Sequence, residues 1–201
     1  MFALVESGSI IKMLSGNQGI TIDGIQHPRA IYTLWTEAER NAIGIYTVEY
    51  DNSNKKNEKW YINTNQSYAF GSGKVTATYG TATAKAHTDT LYTAQDETDG
   101  LGTEGDVRVE GLKTKLIRTV KAQAEGELNR TDWYVVRKSE ESTAIPSAIT
   151  THRRAVRSKQ AAMETAITNA SDTPALETLY TYTTDSDGVQ SRPLGELPTL
   201  E

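Results

Sequence analysis

The sequence contains no cysteine, which excludes disulfides, thiolate nucleophiles and thiolate zinc sites. It has two phenylalanines, and aromatic residues make up only 7% of its 201 residues. No apolar run approaches the ~20 residues that a membrane-spanning helix needs. An excess of positive charge is also missing. The formal net charge of −5 disfavours nucleic acid and anionic membranes as partners of the surface as a whole. Apolar residues account for 37% and charged residues for 23%. That is enough for a core in one domain or two small ones. The low apolar share suits an elongated shape or an obligate partner better than a compact enzyme with a deep pocket.

Catalytic and ligand motifs are missing as well. His27, His87 and His152 lie in three different segments without ligand spacing. Asp96, Glu97, Asp99, Glu104 and Asp106 invite a calcium loop. Counting from Asp96, however, Gly100 falls at position five and Val107 at position twelve, so the EF-hand pattern fails. Gly100–Gly105 reads G-x-G-x-x-G in form, but no apolar strand precedes it, and acidic residues stand where phosphate would go. There is no G-x-S-x-G elbow. These absences predict a non-enzyme without cofactor, metal or catalytic residues.

What is present predicts an α+β chain. An N-terminal antiparallel β-rich module with one short helix spans 1–90. An acidic, Gly-rich linker or loop spans 91–107, a helical module 108–181, and an extended tail 182–201. The opening FALVES and SIIKML flank Gly8-Ser9 and predict a hairpin, not a signal peptide. Ile20, Ile22 and Ile25 predict one short strand ended by Pro28. Thr36 and Glu39 form a capping box for a two-turn helix that stops at Gly44. IYTVEYD resumes the β pattern, and NSNKKN is a polar turn. WYINTNQSYAF and KVTATYGTATAKA around Gly71-Ser72-Gly73 predict a long, Thr-rich hairpin. Its aromatics, Trp60 and Tyr68 foremost, are candidate partner-binding or glycan-binding residues. The alternative for them is core and cross-strand packing.

Leu112, Leu116, Ile117, Val120, Ala124 and Leu128 make one stripe at 100° per residue and predict a helix over 111–128. A second helix starts near Thr131 or Asp132, with Trp133 expected to anchor it in the core. Cation–π stacking of Trp133 with Arg137 is the alternative. It ends before Pro146, which opens a third helix to about Ala170. Ile149, Val156 and Met163 repeat there at seven residues. His152, Arg153, Arg154 and Arg157 predict a cationic face of that helix, solvated and balanced by Glu140, Glu141 and Glu164; a docking surface for acidic groups on a partner is the alternative.

The stretch from Leu128 to Arg157 carries the most distinctive wording. Leu128, Thr131, Asp132, Trp133, Arg137, Ile145, Pro146, Arg153 and Arg157 follow a pattern of Leu, Thr-Asp-Trp, a spaced Arg, Ile-Pro and a helix with spaced arginines. In this it resembles the C-terminal part of bacteriophage tail assembly chaperone-like, tail-fibre-associated proteins. The opening FALVESGSIIK and the Gly44–Val48 stretch also look like that group. The resemblance implies a non-enzymatic protein of the tail fibre or baseplate, either an assembly chaperone or a bound structural subunit. Its partners would be other tail proteins or further copies of itself, with no nucleic acid or membrane. It would be found in the virion tail, or in the host cytoplasm during assembly. A carbohydrate- or receptor-binding module and an envelope-polymer hydrolase are the alternatives.

Overall fold

In the computed structural model, which describes residues 1–64 and 66–200, the chain divides into two compact units, 1–83 and 84–201. Asn65, inside the predicted strand 60–70, and Glu201, at the end of the predicted tail, lie outside the described residues.

The first unit is built on a five-stranded sheet whose strands lie in the order 9–14, 2–6, 45–51, 74–79 and 66–71. Strands β1 (Phe2–Glu6) and β2 (Ser9–Leu14) form the expected hairpin. Its turn is Ser7-Gly8, with φ of 49° and 80°, the left-handed pair that suits the twist of a two-residue loop. The next segment corrects the expectation of a single strand. β3 (Ile20–Ile22) and β4 (Ile25–His27) are a second small hairpin, turned at Asp23-Gly24 with φ of 48° and 75°. One extra turn, α1 (Ile31–Leu34), precedes α2 (Glu37–Ala42). Helix α2 has the full capping box. The Glu39 amide donates to the Thr36 hydroxyl at 3.3 Å, and the Thr36 amide donates to the Glu39 carboxylate at 2.8 Å. Gly44 ends the helix at φ 80°, with the Val5 carbonyl so close that a Cβ would sit 2.6 Å from it.

Strand β5 (Ile45–Asp51) pairs antiparallel with β1 and parallel with β8 (Lys74–Tyr79). A parallel partner needs a long return connection. Residues 52–73 provide it, carrying β6 (Tyr61–Ile62) and β7 (Gln66–Gly71). The module is therefore mixed, not purely antiparallel. The hairpin β7–β8 turns at Ser72-Gly73 as expected. The sheet curls so that β2 and β7, at its two ends, approach each other as in a half-barrel.

Strand β1 is buried on both faces. Leu4 packs with Leu14, Ile22, Ile31, Tyr32 and Ile45 under the small hairpin and α1. Ala3 and Val5 pack with Val48, Val75 and Ala77 on the other face, with Ile10, Met13, Tyr46, Tyr68 and Phe70 against them. Thr-rich strands thus hold together because the curled sheet gathers its few aromatics over small residues.

The second unit contains helices α4 (Leu112–Asn129), α5 (Asp132–Glu141), α6 (Ser147–Asn169) and α7 (Thr173–Tyr180). Helices α4 and α6 pack against each other. Leu116, Val120 and Ala124 are buried on α4, and Ile149, Val156, Met163 and Ile167 on α6. The heptad-like stripe of α6 is therefore spent inside the unit.

The stretch expected to be a linker or loop is folded into this unit. After the two-residue strand β9 (Thr83–Ala84), strands β10 (Thr90–Leu91) and β11 (Val107–Val109) pair around the short helix α3 (Ala94–Thr98). Residues 86–89 cap α4 from a distance. The amides of Gly111, Leu112 and Lys113 donate to Asp89 Oδ1 at 2.7 Å, Ala86 O at 3.0 Å and His87 O at 3.0 Å. These are donors that a helix start leaves free. A Cβ on Gly111 would fall 2.3 Å from the Thr88 carbonyl, so this close approach requires glycine. The predicted tail is likewise not extended. Strands β12 (Thr183–Thr184) and β13 (Gln190–Ser191) form a hairpin, and Leu194 folds back, 2% exposed, with its amide on the Leu179 carbonyl at 3.0 Å.

Candidate functional site

The joint between α4, α5 and α6 gathers most of the residues that the sequence singles out. At its centre is Arg153, 8% exposed. Its Nη1 lies 2.8 Å from Leu128 O, 2.7 Å from Thr131 Oγ1 and 2.7 Å from Asp132 Oδ1. Two hydrogens are shared among three acceptors. Thr131 is 1% exposed and sits at the position before α5. Its hydroxyl does not cap α5. It donates back to Leu128 O at 2.9 Å, and the Thr131 amide reaches the same carbonyl at 3.0 Å. The last turn of α4 is thereby tied to α6 through one cation. A buried cation needs such partners, because desolvation without them is costly.

Helix α5 runs outward from this knot and buries none of its residues. Trp133 is 51% exposed, and Val135 and Val136 are 42% and 52% exposed. The expectation that Trp133 anchors the helix in the core is corrected here. The rarer alternative holds, with Arg137 Cζ lying 4.7 Å from the Trp133 ring centroid and 5.4 Å from that of Tyr134. The indole stacks on the outside of its own helix. It has no core to enter, because α4 and α6 already fill each other's stripes.

The connection after α5 turns through Ser142 at φ 58°. Pro146, extended at ψ 141°, then starts α6 and accepts the Thr150 amide at 3.1 Å. Between α5 and α6 lies an open groove of about 330 Å³, lined by Val135, Ile145, Thr150, Arg153, Arg154 and Arg157.

The expected cationic face is divided. His152 and Arg153 are buried, and Arg154 and Arg157 are exposed. Among the described residues, the His152 Nε2 and Arg137 Nε atoms are buried without a hydrogen-bond partner. The expected balancing acids do not meet the arginines. Glu164 pairs with Lys121 at 3.6 Å and accepts from Gln160 at 2.8 Å, and neither Glu140 nor Glu141 makes an ion pair among the described residues.

The hairpin aromatics stand elsewhere, in the first unit. Trp60 is 3% exposed, and Tyr61 is 5% exposed. Trp60 therefore offers no open face for a sugar or a partner, which corrects its candidacy. Its segment is held by backbone bonds from the Trp60 and Tyr61 amides to Asn57 O, both 3.0 Å. Asn63 closes the loop by exchanging two bonds with the Lys56 backbone, at 2.9 and 3.0 Å. Tyr68 is half-buried against the core, with its hydroxyl on Gln66 Oε1 at 3.3 Å. The two candidates thus form no common platform.

Among the described residues, no group of three or more His, Asp or Glu is placed to hold a metal ion, and no helix is long and apolar enough to cross a membrane. Asp89, Asp96 and Glu39 have carboxyls held below their usual range, each mainly by a backbone amide, from Gly111, Thr93 and Thr36 respectively. All three are turn or cap carboxylates, remote in role from the joint. The signals for Asp89 and for the exposure of α5 are not local in sequence. The first needs the 86–89 backbone to cross the start of α4, and the second needs α4 and α6 to exclude α5.

Comparison with protein-family models, with curated proteins and with solved structures gave no match.

Proposed function

We propose that this chain is a non-enzymatic bacteriophage tail protein that acts at the tail fibre or baseplate, as an assembly chaperone or a bound structural subunit, through protein–protein contacts. The observation that carries the reading is the outward face of α5. Trp133 and Val136 stand exposed on that face, within the stretch whose wording resembles that family, while Val135 lines the groove toward α6. A tryptophan and a valine exposed side by side on a ten-residue helix that buries none of its residues mark a face that a partner can cover. The Arg153 knot fixes the helix against α4 and α6, so the face is presented on a rigid support. The partners are other tail proteins, and the location is the virion tail, or the host cytoplasm during assembly.

The test is to probe purified virions for the chain and to delete its coding sequence. Presence in the virion identifies a structural subunit. Absence from the virion together with loss of fibres on deletion identifies a chaperone. A virion without the chain and with normal fibres after deletion overturns the reading.

A further inference from the structure

We propose that the groove between α5 and α6 binds an acidic, aliphatic segment of a partner protein, with its carboxylates on Arg154 and Arg157. The inference rests on reading the α5–α6 joint as the partner face, and it assigns the chemistry of what docks there. Three observations converge on it.

The first is charge. The chain as a whole is acidic, at −5, yet no carboxylate lines this groove. Arg154 and Arg157 lie three residues apart, so both emerge on one side of α6. Both are exposed, and neither pairs with an acid among the described residues. Lys55, Lys74, Arg108, Arg118, Lys121, Arg130 and Arg192 do pair with acids, while among the described residues Lys12, Arg29, Lys115, Lys138 and Lys159 do not; what sets Arg154 and Arg157 apart is that they stand together beside an apolar lining. Two neighbouring arginines without an acid partner can receive an incoming carboxylate pair by directional, charge-assisted hydrogen bonds.

The second is shape. Val135 and Ile145 supply the apolar part of the lining, and the open groove of about 330 Å³ has room for aliphatic side chains of a docked segment. The third is support. Arg153 lines the floor but is already committed to Leu128, Thr131 and Asp132. It stiffens the site and leaves the charge recognition to Arg154 and Arg157. A carboxylate met by a planar guanidinium is bound directionally, so the segment is held in one register and not merely attracted.

The experiment uses the full chain and two short synthetic peptides. One is made of leucine and glutamate, and the other has glutamine in place of every glutamate. Binding is followed by NMR at low salt, on backbone amides and on arginine Nε–H signals. The glutamate peptide should shift Val135, Ile145, Thr150, Arg154 and Arg157, and should bind roughly fivefold more tightly than the glutamine peptide. Salt should erase most of that difference. The variant with Arg154→Gln and Arg157→Gln should bind the two peptides equally. Equal affinity of the wild-type chain for both peptides overturns the proposal, and so do shifts that fall outside the groove. The peptide contrast needs no variant, so it decides the matter even if the double substitution perturbs folding. Failure here with the chain still essential for fibres removes the groove and leaves the tail function standing. Peptide binding by a chain dispensable for fibres does the reverse.

Discussion

Trp60 and Trp133 part company in exposure, against the polarity of the sequence around each. Trp60 belongs to a polar, lysine-rich connection between strands and is, by sequence, a candidate to face a ligand, with core packing the commoner role for such a residue. It is 3% exposed. Trp133 belongs to a helix with valines beside it, the kind of place where an aromatic is expected to enter a core. It is 51% exposed. The difference lies in what the neighbours have already spent. In the first unit the segment that carries Trp60 and Tyr61 buries both rings, while Ile11, Ile25, Leu34, Tyr50 and Ile62 stay exposed. In the second unit α4 and α6 satisfy each other, and α5 is left with an apolar face and nothing to cover it. Amphipathicity states that a face needs covering, and it does not state whether the cover lies within the same chain.

The contrast is sharpened most by truncating the buried tryptophan. Trp60→Ala should destabilise the first unit by roughly 3–5 kcal/mol, read as a lowered urea midpoint. A midpoint close to wild type would mean that Trp60 is not part of the core.

Next comes the knot on which α5 stands. Arg153→Met keeps the aliphatic stem and removes the charge. It leaves the buried Thr131 hydroxyl and Leu128 carbonyl without the cation, while the half-exposed Asp132 returns to water. The expected cost is roughly 2–3 kcal/mol, measured by chemical denaturation. An unchanged denaturation curve would show that the joint is held by packing alone.

Asp89 gives a smaller, pH-dependent effect. The Gly111 amide and the Thr114 hydroxyl hold its carboxyl below its usual range. A carboxyl with a depressed folded pKa contributes stability above the unfolded value, near ~3.9, and loses it as pH falls through the folded value. Asp89→Asn should therefore lower Tm at neutral pH, and the gap to wild type should close in strong acid. A gap that persists unchanged in acid would assign the loss to geometry and not to charge.

The smallest effect is expected at the exposed tryptophan. Trp133→Ala loses the stacking on Arg137 and Tyr134, worth at most about 1 kcal/mol. The thermal transition should hardly move.

Features with short-range chemistry were legible in the sequence. The Thr36 capping box, the Gly-containing hairpin turns at Gly8 and Gly73, the stripes of α4 and α6, and Pro146 at the start of α6 all rest on residues within one turn of each other. Asp23-Gly24 carried the same kind of signal, but reading Ile20 to Ile25 as one alternating run hid it. The acidic stretches 91–107 and 182–201 lack apolar alternation and so read as linker and tail. They fold through polar turns instead. Thr93 and Asp96 cap α3 reciprocally, and Asp185 Oδ1 accepts the amides of Asp187 and Val189. The parallel pairing of β5 with β8 joins segments more than twenty residues apart and leaves no local trace. At the joint, Leu128, Thr131, Asp132 and Arg153 appear in the sequence as conspicuous residues, but their convergence on one nitrogen depends on how α4 meets α6.

The Trp133→Ala chain decides the central claim, that the outer face of α5 exists for a partner. Under the proposed tail function, the variant is supplied in trans to a phage deleted for the gene, and fibre-bearing infectious particles are counted against wild type. The account predicts a folded variant with an unmoved thermal transition that fails to restore fibres. Full restoration of fibres by the same folded variant would contradict it.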